Sequence, residues 1–268
     1  MAHLQRMGRS VATSNLLVPI FVPTFNNPTL LRGMLDQLLE RGFANVTVLD
    51  NASTYPPMLA LLDKVADRVH VHRFRRNLGP TAVLDDLRLW SALPRVFCLT
   101  DPDLRFHEDM PEDFVDRLYE LSKKYCKGKV GLALDISDPT ILRDDDFIIN
   151  GGTYKIWEWE AHFWVHEVES DVYEAQVDTT FALYNKAFHD PSQHLDALRV
   201  GGTFTCEHLP WRRDFALPQD ELDFYQSLNR HSFYLPNARA GAPRDESLPV
   251  RAGRRIARTA RNSWARRR

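Results

Sequence analysis

The chain has 268 residues, 44% of them hydrophobic and 26% charged, enough for one large α/β domain with a substantial core or two small ones. The formal net charge is −2, but residues 251–268 hold eight arginines and no acid, so residues 1–250 carry −10, a body too acidic to present a nucleic-acid-binding surface. No apolar stretch reaches membrane-spanning length, the opening MAHLQRMGRS lacks the apolar core of a signal peptide, and Cys98, Cys126 and Cys206 are too sparse for a disulfide framework or a zinc ribbon; a reducing, cytoplasmic location is expected.

The first 135 residues alternate strand-like and helix-like segments. Leu16 to Pro23 is apolar and strand-like, with Pro19 marking an irregular start before Ile20. Asn27 can cap a helix with Pro28 at its first position. Leu30, Leu31, Met34, Leu35, Leu38 and Leu39 then recur at helical spacing, and Gly42 supplies the stop. Asn45 to Leu49 reads as a second strand, Pro56 to Val65 as a helix, Val69 to Phe74 as a third strand, Pro80 to Trp90 as a helix and Arg95 to Thr100 as a fourth strand. Pro111 to Lys124 is a helix with acids in its first turn and lysines in its last, matching the helix dipole, and Lys129 to Leu134 is a fifth strand. This alternation implies a mostly parallel sheet covered on both faces.

After about Asp135 the rhythm changes. Asp144-Asp145-Asp146 reads as a solvated loop, and Gly151-Gly152 marks a turn. The aromatic stretch Tyr154 to Trp164 is either a sugar- or acceptor-binding wall or a helix packing its rings on the sheet. Val177 to Tyr184 is strand-like. The expected organisation is a single domain over 1–235, a linker over 236–250 and a basic tail over 251–268. On a helix, Ala252, Ile256, Ala260 and Trp264 of that tail recur every four residues as a thin apolar stripe amid arginines, which suits an anionic membrane surface; a solvated tail, or one folded on the acidic body, is the alternative.

The strongest chemical signal is Asp101-Pro102-Asp103, directly after the apolar run Val96 to Leu99. Two carboxylates spaced by two leave the strand's carboxyl end on one side, where open α/β sheets bind ligands, and such a pair can hold a divalent cation against a diphosphate. Three further segments fall at carboxyl ends of expected strands: Val22-Pro23-Thr24-Phe25-Asn26, Leu49-Asp50-Asn51-Ala52-Ser53 and Arg76-Asn77-Leu78-Gly79. Each alone reads equally well as a turn or connector, whereas together they can converge on one crevice.

In these four segments and their order the chain resembles a GT-A glycosyltransferase, most similar to the family 2 type, over roughly residues 16–135 and only loosely beyond. The resemblance implies a GT-A type, Rossmann-like α/β fold with a mostly parallel central sheet flanked by helices. Residues 16–135 would form the nucleotide-sugar-binding half and 136–235 a C-terminal, acceptor-side half. It implies that Pro23 and Thr24 contact the base and ribose, that Asp50 with Asn51 accepts hydrogen bonds there, and that Arg76 and Asn77 border the donor. Asp101 would lie near the ribose or sugar, and Asp103 would ligate Mg²⁺ or Mn²⁺ between the two phosphates. His208, in Cys206-Glu207-His208-Leu209-Pro210-Trp211, is a candidate additional metal ligand, with Trp211 as a lid, an acceptor wall or plain core.

Family 2 enzymes often carry a late Glu-Asp or Asp-Asp pair whose Asp is the base, and no clear pair follows here. The candidates are Asp178, in Val177-Asp178-Thr179-Thr180-Phe181, and Glu160 in the aromatic stretch; inversion needs one carboxylate in reach of the acceptor hydroxyl. The implied activity is metal-dependent transfer of a sugar from a nucleotide donor, a UDP-sugar foremost, to a glycan or lipid-linked acceptor, as in polysaccharide biosynthesis. A sugar nucleotidyltransferase would place a glycine-rich loop after the first strand, where Pro23 to Pro28 has no glycine. A haloacid dehalogenase-like phosphatase would carry its Asp-x-Asp after the first strand. A non-catalytic glycan-binding scaffold is disfavoured by the intact Asp101 and Asp103, and dinucleotide and Walker loops are absent from the sequence.

Overall fold

Strand β1 (Ile20–Thr24) begins just after Pro19, as the proline's missing N–H requires, and leads into helix α1 (Pro28–Glu40). The computed structural model describes residues 16–149, 152–177, 180–189 and 196–228. In α1 the buried face is Leu30, Leu31, Met34, Leu35 and Leu38, the expected helical stripe. Strand β2 (Val46–Asp50), helix α2 (Pro56–Val65) and strand β3 (His70–Arg73) repeat the unit. The single helix expected from Pro80 to Trp90 is two, α3 (Ala82–Asp85) and α4 (Leu87–Ala92). Asp86 breaks it: its backbone is extended, and its carboxylate caps α4 by accepting from the N–H groups of Arg88 at 2.8 Å and Leu89 at 3.2 Å.

Strand β4 (Val96–Leu99) is followed by a reversal into β5 (Leu104–Phe106), then by α5 (Phe114–Tyr125) and β6 (Lys129–Leu134). The second half contributes β7 (Phe147–Ile149), β8 (Gly152–Tyr154), α6 (Ile156–Ala161), β9 (Glu167–Glu169), β10 (Val172–Glu174), β11 (Ala182–Asn185), β12 (Leu198–His208) and α7 (Gln219–Leu228). The strand expected from Val177 to Tyr184 is thus confined to Ala182–Asn185 among the described residues. Linker 236–250 and tail 251–268 lie outside the described residues, within which no helix is long and apolar enough to cross a membrane.

The main sheet runs β3-β2-β1-β4-β11-β6-β12-β10-β9, with β5 added to β12. Its pairings make β5, β10 and β11 antiparallel to the other strands, so the sheet is mostly parallel, as expected. From β1 the chain steps outward to β2 and β3, then returns to place β4 on the other side of β1. Strand order therefore reverses between β1 and β4, and the crevice of an open α/β sheet opens at such a reversal.

Alternation along β1 sends Ile20 and Val22 to one face and Phe21 to the other. On the first face Phe106, Phe114 and Phe181 pack in mutual contact at 5.1 to 5.6 Å between ring centres. On the second, Phe97 stacks on Tyr184 at 5.1 Å and meets Trp90 edge-on at 5.9 Å. Strand β12 follows β6 from Leu198 to Val200, leaves the ladder for residues 201–204, and rejoins it at Thr205 opposite Ala133. Gly201 in that bulge lies under Trp164, where a Cβ would approach the indole to 2.8 Å.

Candidate active site

At the carboxyl edge, buried amides tie the loops together. Asn26, wholly buried and at φ +54°, accepts from the N–H groups of Thr54 at 2.8 Å and Tyr55 at 2.9 Å, while its own N–H donates to Ser53 Oγ at 2.9 Å. The β1 loop therefore caps the start of α2. Asn51 repeats the device one unit along: its Oδ1 accepts from the Leu78 N–H at 3.1 Å and its Nδ2 donates to the Gly79 carbonyl at 3.3 Å. Gly79 sits at φ +88°, a conformation that a side chain would strain, and Asn77 closes that turn by accepting from the Gly79 N–H at 2.8 Å. Thr24 is buried and donates to Asn27 Oδ1 at 2.6 Å. The Asp50 carboxylate is turned inward, bracing its own turn through the Ser53 N–H at 3.2 Å. Arg76 and Asn77 are exposed at the rim.

Asp101 is half-buried in the turn after β4, and Asp103 is buried beside it. The structure brings Asp103 and His208 together although 105 positions separate them in the chain. Leu104 pairs with His208 in the β5–β12 ladder, and the Leu209 N–H donates to the Asp103 carbonyl at 2.9 Å. His208 Nε2 lies 3.2 Å from Asp103 Oδ2, with side-chain exposures of 14% and 12%. The Nε2–H tautomer satisfies this contact and leaves Nδ1 buried without a hydrogen-bond partner, next to Trp211 at 4.5 Å between ring centres.

Among the described residues no group of three or more His, Cys, Asp or Glu side chains forms a metal cage. The pair nevertheless suits a cation that shares its coordination with a diphosphate, because one or two protein ligands plus phosphate oxygens is a usual arrangement for such ions. Asp103 supplies a carboxylate and His208 a ring nitrogen facing it, and Asp101 in the same turn adds a second carboxylate.

Beyond His208, the turn Leu209–Trp211 and the following residues pair with 141–143: the Arg143 N–H donates to the Trp211 carbonyl at 2.7 Å and the Arg213 N–H to the Ile141 carbonyl at 2.9 Å. A cavity of about 420 Å³ lies here, lined by Arg143, Asp144, Asp145, Pro210, Arg212, Arg213 and Phe215 among others. The Asp144–Asp146 run is organised by Lys155, whose ammonium lies 3.0 Å from Asp144 and 2.8 Å from Asp146 and holds the Asp144 carboxyl below its usual range. Lys155 starts α6, so the aromatic excursion joins this wall. Tyr154, Trp159 and His162 form a partly exposed ring cluster with centres 5.7 to 5.8 Å apart.

Glu160 has a different task from the proton acceptor expected of it. It is 2% exposed and forms an ion pair with Arg199, whose Nε also donates to the Gln176 carbonyl at 2.5 Å and whose guanidinium lies 4.3 Å from the Phe163 ring centre. A carboxylate closed off from solvent and engaged by a buried guanidinium is kept from an acceptor hydroxyl. It is the bolt that fixes α6 to β12. Asp178 lies outside the described residues. Sequence reading missed Asn26 as a cap and Arg199 as an anchor; an asparagine inside a strand-end loop and an arginine inside an apolar strand were the available signals.

Residues 20–162 match the family model described as glycosyl transferase family 2. No curated protein matches the chain in sequence. Among solved structures, residues 1–349 of TarS from S. aureus align at 11% identity over 78% of this chain and 62% of that one, with a TM-score of 0.43. The same TarS portion in complex with UDP aligns at 12% identity over the same shares, with a TM-score of 0.43. GalNAc-T7 with UDP, GalNAc and Mn²⁺ aligns at 13% identity over 79% of this chain and 48% of that one, with a TM-score of 0.47. The chain thus spans about three fifths of that TarS portion and about half of the GalNAc-T7 chain.

The buried pair generates a test. Glu160→Gln leaves the Arg199 guanidinium uncompensated and is expected to lower unfolding free energy by about 3–5 kcal/mol in urea denaturation. Replacing both partners by Leu and Met should recover most of that loss, because the desolvation cost of both charges is removed together.

Proposed function

Because the chain belongs to glycosyl transferase family 2, we propose that it moves a sugar from a nucleoside-diphosphate donor, a UDP-sugar in our reading, to a glycan or lipid-linked acceptor with inversion at the anomeric carbon. The observation that carries this reading is the convergence of four strand-end loops on the β1/β4 reversal, with Asp103 against His208 at one end. Pro23, Thr24, Asp50 and Asn51 form the base and ribose wall, and Arg76 and Asn77 border the donor. Asp101, Asp103 and His208 hold the cation. An imidazole in the donor set favours Mn²⁺ over Mg²⁺. When bound, the cation neutralises charge on the departing diphosphate.

The acceptor enters from the side of the 420 Å³ cavity and the Tyr154–Trp159–His162 ring cluster. Asp178 is the base in this scheme. In support, antiparallel β11 enters the sheet with Ala182 opposite Leu99, two residues before Asp101, and Ala182 follows Asp178 by four. A carboxylate in reach of the acceptor takes its proton as the hydroxyl oxygen attacks the anomeric carbon and the bond to the diphosphate breaks. The basic tail holds the protein against an anionic membrane, where a lipid-linked acceptor is found. Its thin apolar stripe adds little, so attraction on the order of 1 kcal/mol per basic residue dominates and weakens with salt.

Asp103→Ala should abolish Mn²⁺-dependent UDP binding in calorimetry while leaving the far-UV circular dichroism unchanged; wild-type affinity in the variant would overturn the cation assignment. Asp178→Asn should lower kcat by about a hundred- to ten-thousandfold with donor affinity within twofold. NMR of the product anomer tests inversion, and a retained configuration would refute it. Liposome flotation tests the tail: the full chain should float with anionic vesicles at low salt and the chain lacking 251–268 should not, whereas equal flotation of both would sink the proposal.

A further inference from the structure

Helix α1 starts without a local cap. Asn27 stands at the N-cap, but its side-chain oxygen accepts from Thr24 Oγ1 and, at 3.3 Å, from the Phe25 N–H, so it is turned back into the β1 loop. The cap comes instead from 192 positions away. Glu221 on α7 accepts from Thr29 Oγ1 at 2.5 Å and from the Thr29 N–H at 3.2 and 3.3 Å. A carboxylate there satisfies an otherwise orphaned helix N–H and lies favourably in the helix dipole. Glu221 is 2% exposed, and burial pushes its carboxyl above the usual range.

The same helix grips the second base-side loop. Asp220 accepts from Tyr55 Oη at 2.8 Å, and Phe224 stacks on the Tyr55 ring at 4.6 Å. Burial, with that carboxylate, pushes Tyr55 up to about 12. Tyr55 is the N-cap of α2, and its N–H is one of the two that Asn26 binds. Residues 209–218 run from His208 to α7. A single short segment therefore links the Asp103–His208 corner to the starts of α1 and α2. All of α7 lies beyond the family-matched residues 20–162, while its partners Thr29 and Tyr55 lie within them.

We propose that Glu221 is a positioning residue for the nucleotide: through Thr29 it fixes the Thr24–Asn27 loop in the shape that receives base and ribose, with α7 as the clamp. This rests on the nucleotide-donor reading above. If the start of α1 is released, the loop samples other shapes, and binding must first select the competent one. Affinity falls while the chemical step in the bound complex is preserved.

The test uses the full chain, with UDP and Mn²⁺ as probe in calorimetry and the donor in steady-state kinetics. Glu221→Ala should weaken UDP binding about tenfold, the size of a lost cap, with kcat within twofold. Glu221→Gln should restore affinity to within threefold, because its amide oxygen still accepts from Thr29. Tyr55→Phe keeps the stack, loses the bond to Asp220, and should shift affinity in the same direction by less. Wild-type UDP affinity in Glu221→Ala, or a fall in kcat with affinity unchanged, overturns the clamp alone. Absence of UDP binding in the wild type overturns the donor reading and the clamp with it. If Glu221→Ala does not fold, Tyr55→Phe decides, and unchanged UDP affinity in it overturns the proposal.

Discussion

One backbone pairing, Leu104 opposite His208, sets the corner at which Asp103 and His208 meet. At Cys206, strand β12 is bonded on one side to Leu134 of β6 and on the other to Phe106 of β5; the ladder then runs on to Asp103 itself through the Leu209 N–H. Register here follows from the residues 201–204 that leave the sheet. A bulge longer or shorter by one would bring Glu207 or Leu209 opposite Leu104, and imidazole and carboxylate would part. Gly201 and the indole of Trp164 packed over it support that bulge, so this contact helps to place His208 beside Asp103.

Around this corner the crevice is held by neutral amides. Asn51 combines donor and acceptor in one uncharged side-chain amide, while Asn26 links through its side-chain oxygen and its own backbone N–H, so each ties two βα units together without adding charge to the crevice. Asparagine also tolerates the left-handed backbone that Asn26 adopts at φ +54°. Ala52, at φ +61°, has no such excuse and costs on the order of 1 kcal/mol. It is held by Asp50 and Asn51 before it and by the Ser53 contacts to Asp50 and Asn26 after it. Strain restrained from both sides is typical of a loop kept in one shape for a ligand.

The first half of the chain was legible because its signals are local. Apolar spacing marked α1, proline marked the starts of α1 and α2, and β6 came out at its observed limits, since short-range pattern and burial agree there. The Asp86 break was missed because the apolar period runs through it, while the carboxylate prefers to cap. The second half was less legible because long-range contacts shape it. Strand β12 carries glycines and polar residues that no strand pattern favours, and it forms because β6 and β5 offer it partners. The meeting of Asp103 with His208 is of that kind, and so is the capture of Glu160 by Arg199. Sequence spacing could mark these residues as chemically able. It could not say which of them another side chain had already engaged.

Three buried carboxylates show how that engagement sorts them. Glu160 faces a guanidinium, and neither group reaches solvent, so parting them would strand a charge in the interior. Glu221 faces a hydroxyl and a helix N–H, partners it can release only by freeing α1. Asp103 faces the His208 imidazole at 3.2 Å, close to the surface, and the second ring nitrogen of His208 has no hydrogen-bond partner. For His208 to become a fellow ligand through Nε2, its ring proton moves to Nδ1, which leaves a buried N–H without a partner but no buried charge. Of the three, Asp103 is the carboxylate whose partnership a cation can enter at the lowest cost, and it stands at the strand reversal where the sheet opens.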